Sequence, residues 1–127
     1  MMKVLFVDDD SSIIDMFKDQ AEEYGIDSVF AEDAVSAIAA IDNHDIDYLL
    51  CDGSIPAGHG RLPLQTNGRQ VMFGACARYH IKNIWCTSSD DVFAEKMVSD
   101  GYAARSVEKQ DAVECLAVEM QEQKQTA

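Results

Sequence analysis

The sequence predicts an α/β fold in which five parallel strands form one sheet with helices on both faces. Short uninterrupted apolar runs recur along the chain and alternate with longer segments whose apolar residues keep helical spacing. A run without polar interruption is typical of a strand that is buried on both faces. Five strand–helix units follow one another, and repeated units of this kind favour a parallel sheet covered by helices.

The strands are assigned to the short apolar runs and the helices to the segments between them. In chain order the predicted strands cover residues 4–7, 26–31, 48–51 and 83–86, with a weaker fifth strand within 102–108. The predicted helices follow over residues 11–24, 33–41, 68–79, 88–100 and from 111 onward. Ser11 and Ser12 can cap the first helix, Asp33 opens the second, and residues 88–90 can cap the fourth. Gly25 is well placed to end the first helix.

The composition is that of one folded domain. The chain has 127 residues, of which 47% are hydrophobic, and a formal net charge of −13. This length predicts a single domain over residues 1–123, followed by a polar tail over 124–127. The excess of acid argues against a nucleic-acid surface and against docking to an anionic membrane, because both depend on clustered Lys and Arg.

The cysteines and the N-terminus predict the compartment. None of the four cysteines has metal-type spacing, which favours buried free thiols; they are Cys51, Cys76, Cys86 and Cys115. The apolar run before the first acids is too short for a signal peptide or a membrane span. Together these features predict a cytoplasmic protein.

Polar side chains follow the strands at the sheet edge where parallel α/β proteins bind ligands. Asp8 and Asp9 come directly after the first strand, with Asp10 as a further candidate, and Asp52 follows the third strand. Thr87 follows the fourth. Carboxylates brought together repel one another, and Mg²⁺, which prefers carboxylate oxygens, removes that repulsion. For the first three acids alone, a favourable interaction with a helix N-terminus is an equally good explanation.

Three segments and one lysine, in a characteristic order, carry a resemblance to a known family. KVLFVDDD contains the acidic pair Asp8 and Asp9, and YLLCDGSIPAGHG contains Asp52, with a proline four and a glycine eight residues later. IWCTSSDD contains Thr87, and Lys109 follows it by 22 residues. In these motifs and over its full length, the chain resembles the receiver domain of two-component response regulators.

The resemblance implies a flavodoxin-like doubly wound sheet with strand order 2-1-3-4-5. It implies that Asp52 accepts a phosphoryl group from a histidine kinase or phosphotransfer protein, and that Thr87 and Lys109 contact the phosphoryl oxygens. The implied Mg²⁺ ligands are Asp8, Asp9, Asp52 and the backbone carbonyl of Ser54. The family switches protein–protein contacts, so a phosphorylatable signalling domain is expected in place of a dedicated enzyme. The length predicts a stand-alone receiver that acts through an unknown downstream protein.

The region around the fifth strand departs from the family pattern. A glutamine follows Lys109 where the family has proline, and Ser106 occupies the position of an aromatic residue. An alternative register takes Tyr102 as the aromatic residue and Arg105 in place of the lysine. The spacing favours Lys109, because Val107 then takes the buried position of the strand.

The segment between the third and fourth strands is longer than in the family. Asp52 and Thr87 are 35 positions apart, and the excess falls between Ala57 and Asn67. Gly68 is a candidate for the residue that opens the third helix. A long loop beside a site often gates it or recognises a partner, whereas a tolerated surface insertion is the simpler explanation.

The sequence is compatible with two other functions. The weak fifth strand is compatible with a degenerate receiver that acts as a constitutive binding module. A haloacid-dehalogenase-like phosphohydrolase would use Asp8 as its nucleophile and Asp10 as its acid–base partner, but the Gly-Thr pair of that motif is absent.

Overall fold

A computed structural model describes residues 2–126 and confirms the predicted fold class. The strands are β1 (Lys3–Val7), β2 (Asp27–Ala31), β3 (Tyr48–Cys51), β4 (Asn83–Cys86) and β5 (Arg105–Ser106). The helices are α1 (Ser11–Tyr24), α2 (Ala34–Asn43), α3 (Gln65–Ala77), α4 (Asp91–Ser99) and α5 (Ala112–Thr126), with a short 3-10 helix at Lys109–Asp111. All strand pairs are parallel, in the order β2-β1-β3-β4-β5. Within the described residues, no helix has the length and apolar character needed to span a membrane.

Each face of the sheet has its own hydrophobic core. On one face Leu5, Leu49 and Ile84 pack against α2, α3 and α4. On the other face Phe6 and Trp85 pack against α1 and α5. Successive strand residues point to opposite faces, so strands that are apolar throughout contribute to both cores. Each large side chain that is fully buried contributes roughly 1.5–3 kcal/mol relative to exposure.

The start of α1 differs from the prediction, because the cap is an acid and not a serine. The Asp10 carboxylate accepts hydrogen bonds from the Ser12 backbone N–H at 2.9 Å and from its hydroxyl at 2.6 Å. Ser11 and Ser12 are therefore the first residues of the helix. The other two terminal residues agree with the sequence: Asp33 caps α2, and Gly25 ends α1 in the left-handed conformation at φ 66°.

Helix α3 begins at Gln65, three residues before the predicted start at Gly68. Gly68 lies in the helix, where its N–H donates to the Gly53 carbonyl at 3.0 Å. A glycine stands there because the helix passes very close to the turn after β3, and not because the helix begins there. An antiparallel bridge between Ile55 and Leu64 closes the preceding segment, so the helix starts directly after Leu64 and the predicted loop is shorter than expected.

At the end of the chain, Val107 differs from the prediction, because it lies outside the last strand. Strand β5 has only two residues and ends before Val107, whose N–H donates to the Cys86 carbonyl at 3.0 Å. Val107 is half-buried in the core beside α1 and α5, but the chain turns into the 3-10 helix before the strand can include it. Helix α5 extends to Thr126 and so includes residues 124–126 of the predicted polar tail. Ala127 lies outside the described residues.

Candidate functional site

The carboxyl ends of β1, β3 and β4 bring three polar residues into one row. The last residues of these strands are paired in register across the sheet; they are Val7, Cys51 and Cys86. Asp8, Asp52 and Thr87 follow them. The Asp52 N–H donates to the Val7 carbonyl and the Thr87 N–H to the Cys51 carbonyl, both at 3.0 Å. Because side chains alternate, this row points away from the core that contains the two cysteines.

Three carboxylates converge at this row. Asp8, Asp9 and Asp52 each offer an oxygen, and these oxygens lie within 4.8 Å of one another. Asp8 is fully buried and Asp52 is 7% exposed. Asp10 does not join them: its carboxylate caps α1, and only its backbone N–H reaches the cluster, donating to Asp8 Oδ1 at 2.9 Å. The phosphohydrolase alternative therefore lacks its acid–base residue.

Lys109 is the basic residue that lies in this acid cluster. Its Nζ is 2.8 Å from Asp8 Oδ2 and 3.1 Å from Asp52 Oδ2. Arg105, the other candidate, lies elsewhere, with its guanidinium 4.7 Å from the centre of the Trp85 ring. Three ionised carboxylates and one ammonium leave a net charge of −2 at the site.

The protonation equilibria indicate a shortage of positive charge at the site. Burial raises the pKa of the Asp52 carboxyl, and the nearby Lys109 ammonium offsets this only in part. Burial and the negative charge of Asp8 raise the pKa of Asp9. Burial by itself lowers the pKa of Lys109, but the hydrogen bond to Asp8 and the charges of Asp52 and Asp8 outweigh it and raise that pKa. A further cation at this position would relieve the repulsion.

Thr87 supplies a polar atom that no described atom satisfies. Its Oγ1 is buried without a hydrogen-bond partner among the described residues. A buried hydroxyl without a hydrogen-bond partner destabilises the folded protein by about 1–3 kcal/mol, and a bound ligand that accepts a hydrogen bond from it removes this cost. A buried hydroxyl, an ammonium and three carboxylates with a net charge of −2 fit a hard divalent cation together with an oxyanion. Ser54 is half-buried in the turn after Asp52, and the part of its carbonyl in binding metal remains a prediction.

Two glycines that the sequence analysis did not assign to the site hold the turn after Asp52. The Gly53 N–H donates to Asp52 Oδ1 at 2.8 Å. A Cβ at Gly53 would lie 2.4 Å from Cε2 of Phe93 on α4, and a Cβ at Gly68 would lie 2.2 Å from the Gly53 carbonyl oxygen. The turn is therefore confined between α3 and α4. No local pattern reveals this contact, because it joins three separate elements.

Solved structures that are similar to this chain include response regulator receiver domains. No protein-family model and no curated protein sequence matches the chain. The CheY-like response regulator receiver domain protein from Methanospirillum hungatei JF-1 is 21% identical, with a TM-score of 0.73 over 100% of this chain and 99% of that one. The Francisella response regulator 1452 receiver domain is 22% identical, with a TM-score of 0.74 over 100% of both chains. The non-phosphorylated receiver domain of RcsB from Escherichia coli is 17% identical, with a TM-score of 0.73 over 98% of this chain and 94% of that one. The chain thus has the receiver-domain fold that its motifs predicted.

Proposed function

We propose that this chain is a phosphoacceptor signalling domain that takes a phosphoryl group onto Asp52 from a histidine kinase or a phosphotransfer protein. One observation carries the proposal. The Asp52 carboxylate lies at a strand end beside the carboxylates of Asp8 and Asp9, with the Lys109 ammonium 3.1 Å away. The receiver fold supports a signalling domain in general, and this arrangement supports phosphoryl transfer in particular.

In the proposed reaction, the Asp52 carboxylate is the nucleophile. One of its oxygens forms a bond to phosphorus as the bond between phosphorus and the donor's histidine nitrogen breaks. The electron pair leaves with the imidazole, and an acyl phosphate remains on Asp52. The Thr87 hydroxyl donates a hydrogen bond to one phosphoryl oxygen, and the Lys109 ammonium pairs with another. This engagement of Thr87 alters the turn after β4 and thereby the contacts with a downstream protein.

The proposal assigns a bound Mg²⁺ to Asp8, Asp9, Asp52 and the carbonyl of Ser54. Such an ion, when bound, neutralises the charge that develops on the transferred oxygens. The net charge of −2 supports this assignment, as does the complete burial of Asp8, whose carboxylate has no access to water. The Asp10 N–H holds Asp8 Oδ1 in place at 2.9 Å.

Phosphorylation by a small donor tests the proposal directly. The chain is incubated with acetyl phosphate and Mg²⁺, and its intact mass and its Phos-tag mobility are recorded. We expect one added phosphoryl group in the wild type and none in Asp52→Asn or in the presence of EDTA. Modification that is equal in the wild type and in Asp52→Asn, or absent from both, would refute the proposed function.

A constitutive binding module is the second candidate, and the shape of β5 favours it. This strand has two exposed residues, and Ser106 stands where the family has an aromatic residue. Titration of Trp85 fluorescence with Mg²⁺ separates the two candidates, because a constitutive module does not require the metal. A saturable change supports the phosphoacceptor, and a flat titration supports the constitutive module.

A further inference from the structure

The turn that carries Thr87 must orient this hydroxyl, because Oγ1 makes no hydrogen bond among the described residues. One end of the turn is held by the Thr87 N–H, which donates to the Cys51 carbonyl at 3.0 Å. The other end is Asp90. Its N–H donates to Ser88 Oγ at 3.1 Å, and its Oδ1 accepts from the Phe93 N–H at 3.1 Å, which caps α4.

The second oxygen of Asp90 is bound by a side chain from a different helix. Gln65 Nε2, at the first residue of α3, donates to Asp90 Oδ2 at 2.8 Å. The Phe93 N–H and the Gln65 amide together lower the pKa of Asp90. The Asp90 carboxylate therefore joins the start of α4 to the start of α3.

The start of α3 is itself fixed to the turn that follows Asp52. The Gly68 N–H donates to the Gly53 carbonyl at 3.0 Å, and the buried Asn67 donates through Nδ2 to the Ile55 carbonyl at 2.9 Å. A continuous path of contacts thus runs from the phosphoacceptor turn through the first turn of α3 to Gln65. From there it reaches Asp90 and the turn that carries the hydroxyl.

The segment between Asp52 and α3, which contains the additional residues of this chain, supports this path of contacts. Leu64 pairs with Ile55 across the antiparallel bridge, immediately before Gln65. The carbonyls of Pro56 and Ala57 accept the first N–H groups of α2, at 2.9 and 3.0 Å. The segment is therefore bound to α2 and α3 together, and it leads the chain directly to the position of Gln65.

We infer that Gln65 is a positioning residue for phosphoryl transfer, which holds the far end of the Thr87 turn by hydrogen bonding to Asp90. This inference rests on the proposed function of Asp52. Gln65 does not touch the transferred group, and it acts only through Asp90. Without it, the turn opens more often and the hydroxyl is less often in place when the donor binds.

A swap of donor and acceptor tests the inference. Gln65→Glu places a carboxylate against Asp90 and converts the hydrogen bond into repulsion. The double variant Gln65→Glu/Asp90→Asn restores the bond with its direction reversed, and Asn retains the capping ability of Asp. Gln70→Glu makes the same change of charge at an exposed position of α3 and serves as the control. Two quantities are measured: amide hydrogen exchange over residues 86–93 without phosphorylation, and the rate of phosphorylation by acetyl phosphate with Mg²⁺.

We expect Gln65→Glu to exchange about fivefold faster in this segment and to be phosphorylated about fivefold more slowly, as for the loss of one hydrogen bond. The double variant should return to the wild-type values, which a general loss of stability would not allow. Equal hydrogen-exchange rates in Gln65→Glu, Gln70→Glu and the wild type would overturn the inference. It would also be overturned if the double variant did not return to the wild-type exchange rate. If the wild type is not phosphorylated, the proposed function fails, while the exchange measurement still decides whether Gln65 holds the turn.

Discussion

The contact between Gly68 and the turn after Asp52 provides a sharp test of how the site is held. A Cβ at Gly68 would lie 2.2 Å from the Gly53 carbonyl oxygen and 2.4 Å from the Asp52 carbonyl oxygen. Both are backbone atoms, so no side-chain rotation can relieve the overlap. In Gly68→Ala, either α3 moves away from the sheet or the turn shifts together with the phosphoacceptor.

The magnitude follows from two opposing contributions. Overpacking of this kind costs about 1–3 kcal/mol, whereas replacing Gly by Ala inside a helix gains about 0.5–1 kcal/mol. Gly74 lies in the same helix, and a Cβ there meets nothing within 4 Å. Gly74→Ala has only the gain, so the difference between the two variants is the overpacking cost itself. At roughly 4 °C per kcal/mol for a domain of this size, the melting temperatures should differ by about 4–12 °C.

Calorimetry on the two variants and the wild type measures this difference, and acetyl phosphate labelling shows whether Asp52 remains reactive. We expect the order of melting temperatures to be Gly74→Ala, then wild type, then Gly68→Ala, with slower labelling only in the last. A Gly68→Ala protein as stable as Gly74→Ala would contradict the close approach of α3 to the turn.

Three further predictions concern the charges and thiols. Lys109→Met removes the ammonium from the acid cluster, so the free energy of unfolding without metal should fall by about 1–3 kcal/mol. Thermal unfolding should also show that Mg²⁺ raises the melting temperature more in this variant than in the wild type; an equal rise in both proteins would contradict the ion pairs. Burial raises the pKa of Asp52 above 3.8, so the metal-free protein loses stability as the pH rises through that pKa. In EDTA, denaturant unfolding should therefore find Asp52→Asn more stable than the wild type at neutral pH, with the advantage vanishing below pH 3.8; an advantage that persists in acid would refute this. Burial raises the pKa of the Cys51 thiol, and it raises that of Cys86 to about 11. Both thiols should therefore resist Ellman's reagent until the chain unfolds, whereas the other two cysteines react. Rapid labelling of all four cysteines would show that β3 and β4 are not buried.

Local patterns were sufficient to predict the fold class and the acid cluster. The strands from residue 48 to 51 and from 83 to 86 have the predicted bounds, because an uninterrupted apolar run, of four residues in the first and three in the second, fits a strand buried on both faces. Asp8, Asp9 and Asp52 follow strands directly, and parallel strands end at one edge of the sheet, so their proximity was predictable from position in the chain.

Boundaries that depend on distant contacts were less predictable. Gly68 has the local character of a helix start, but its role is to let α3 pack closely against the Gly53 carbonyl. The two glycines are 15 positions apart in the sequence, so local patterns do not reveal their contact. At the start of α1, Asp10, Ser11 and Ser12 are all residue types that favour the N-cap position of a helix. The choice between them depends on the backbone after β1, where the Asp10 N–H is already bound to Asp8.

The sequence by itself determined the α/β sheet, its parallel strands and the row of acids at their ends, because burial and strand alternation act over a few neighbouring residues. Only the tertiary structure decided that the Lys109 ammonium, and not the Arg105 guanidinium, lies between Asp8 and Asp52. It alone joined Gln65 to Asp90 across 25 positions. Both pairings depend on how α3, α4 and the start of α5 pack on the sheet, and that packing is a property of the whole chain.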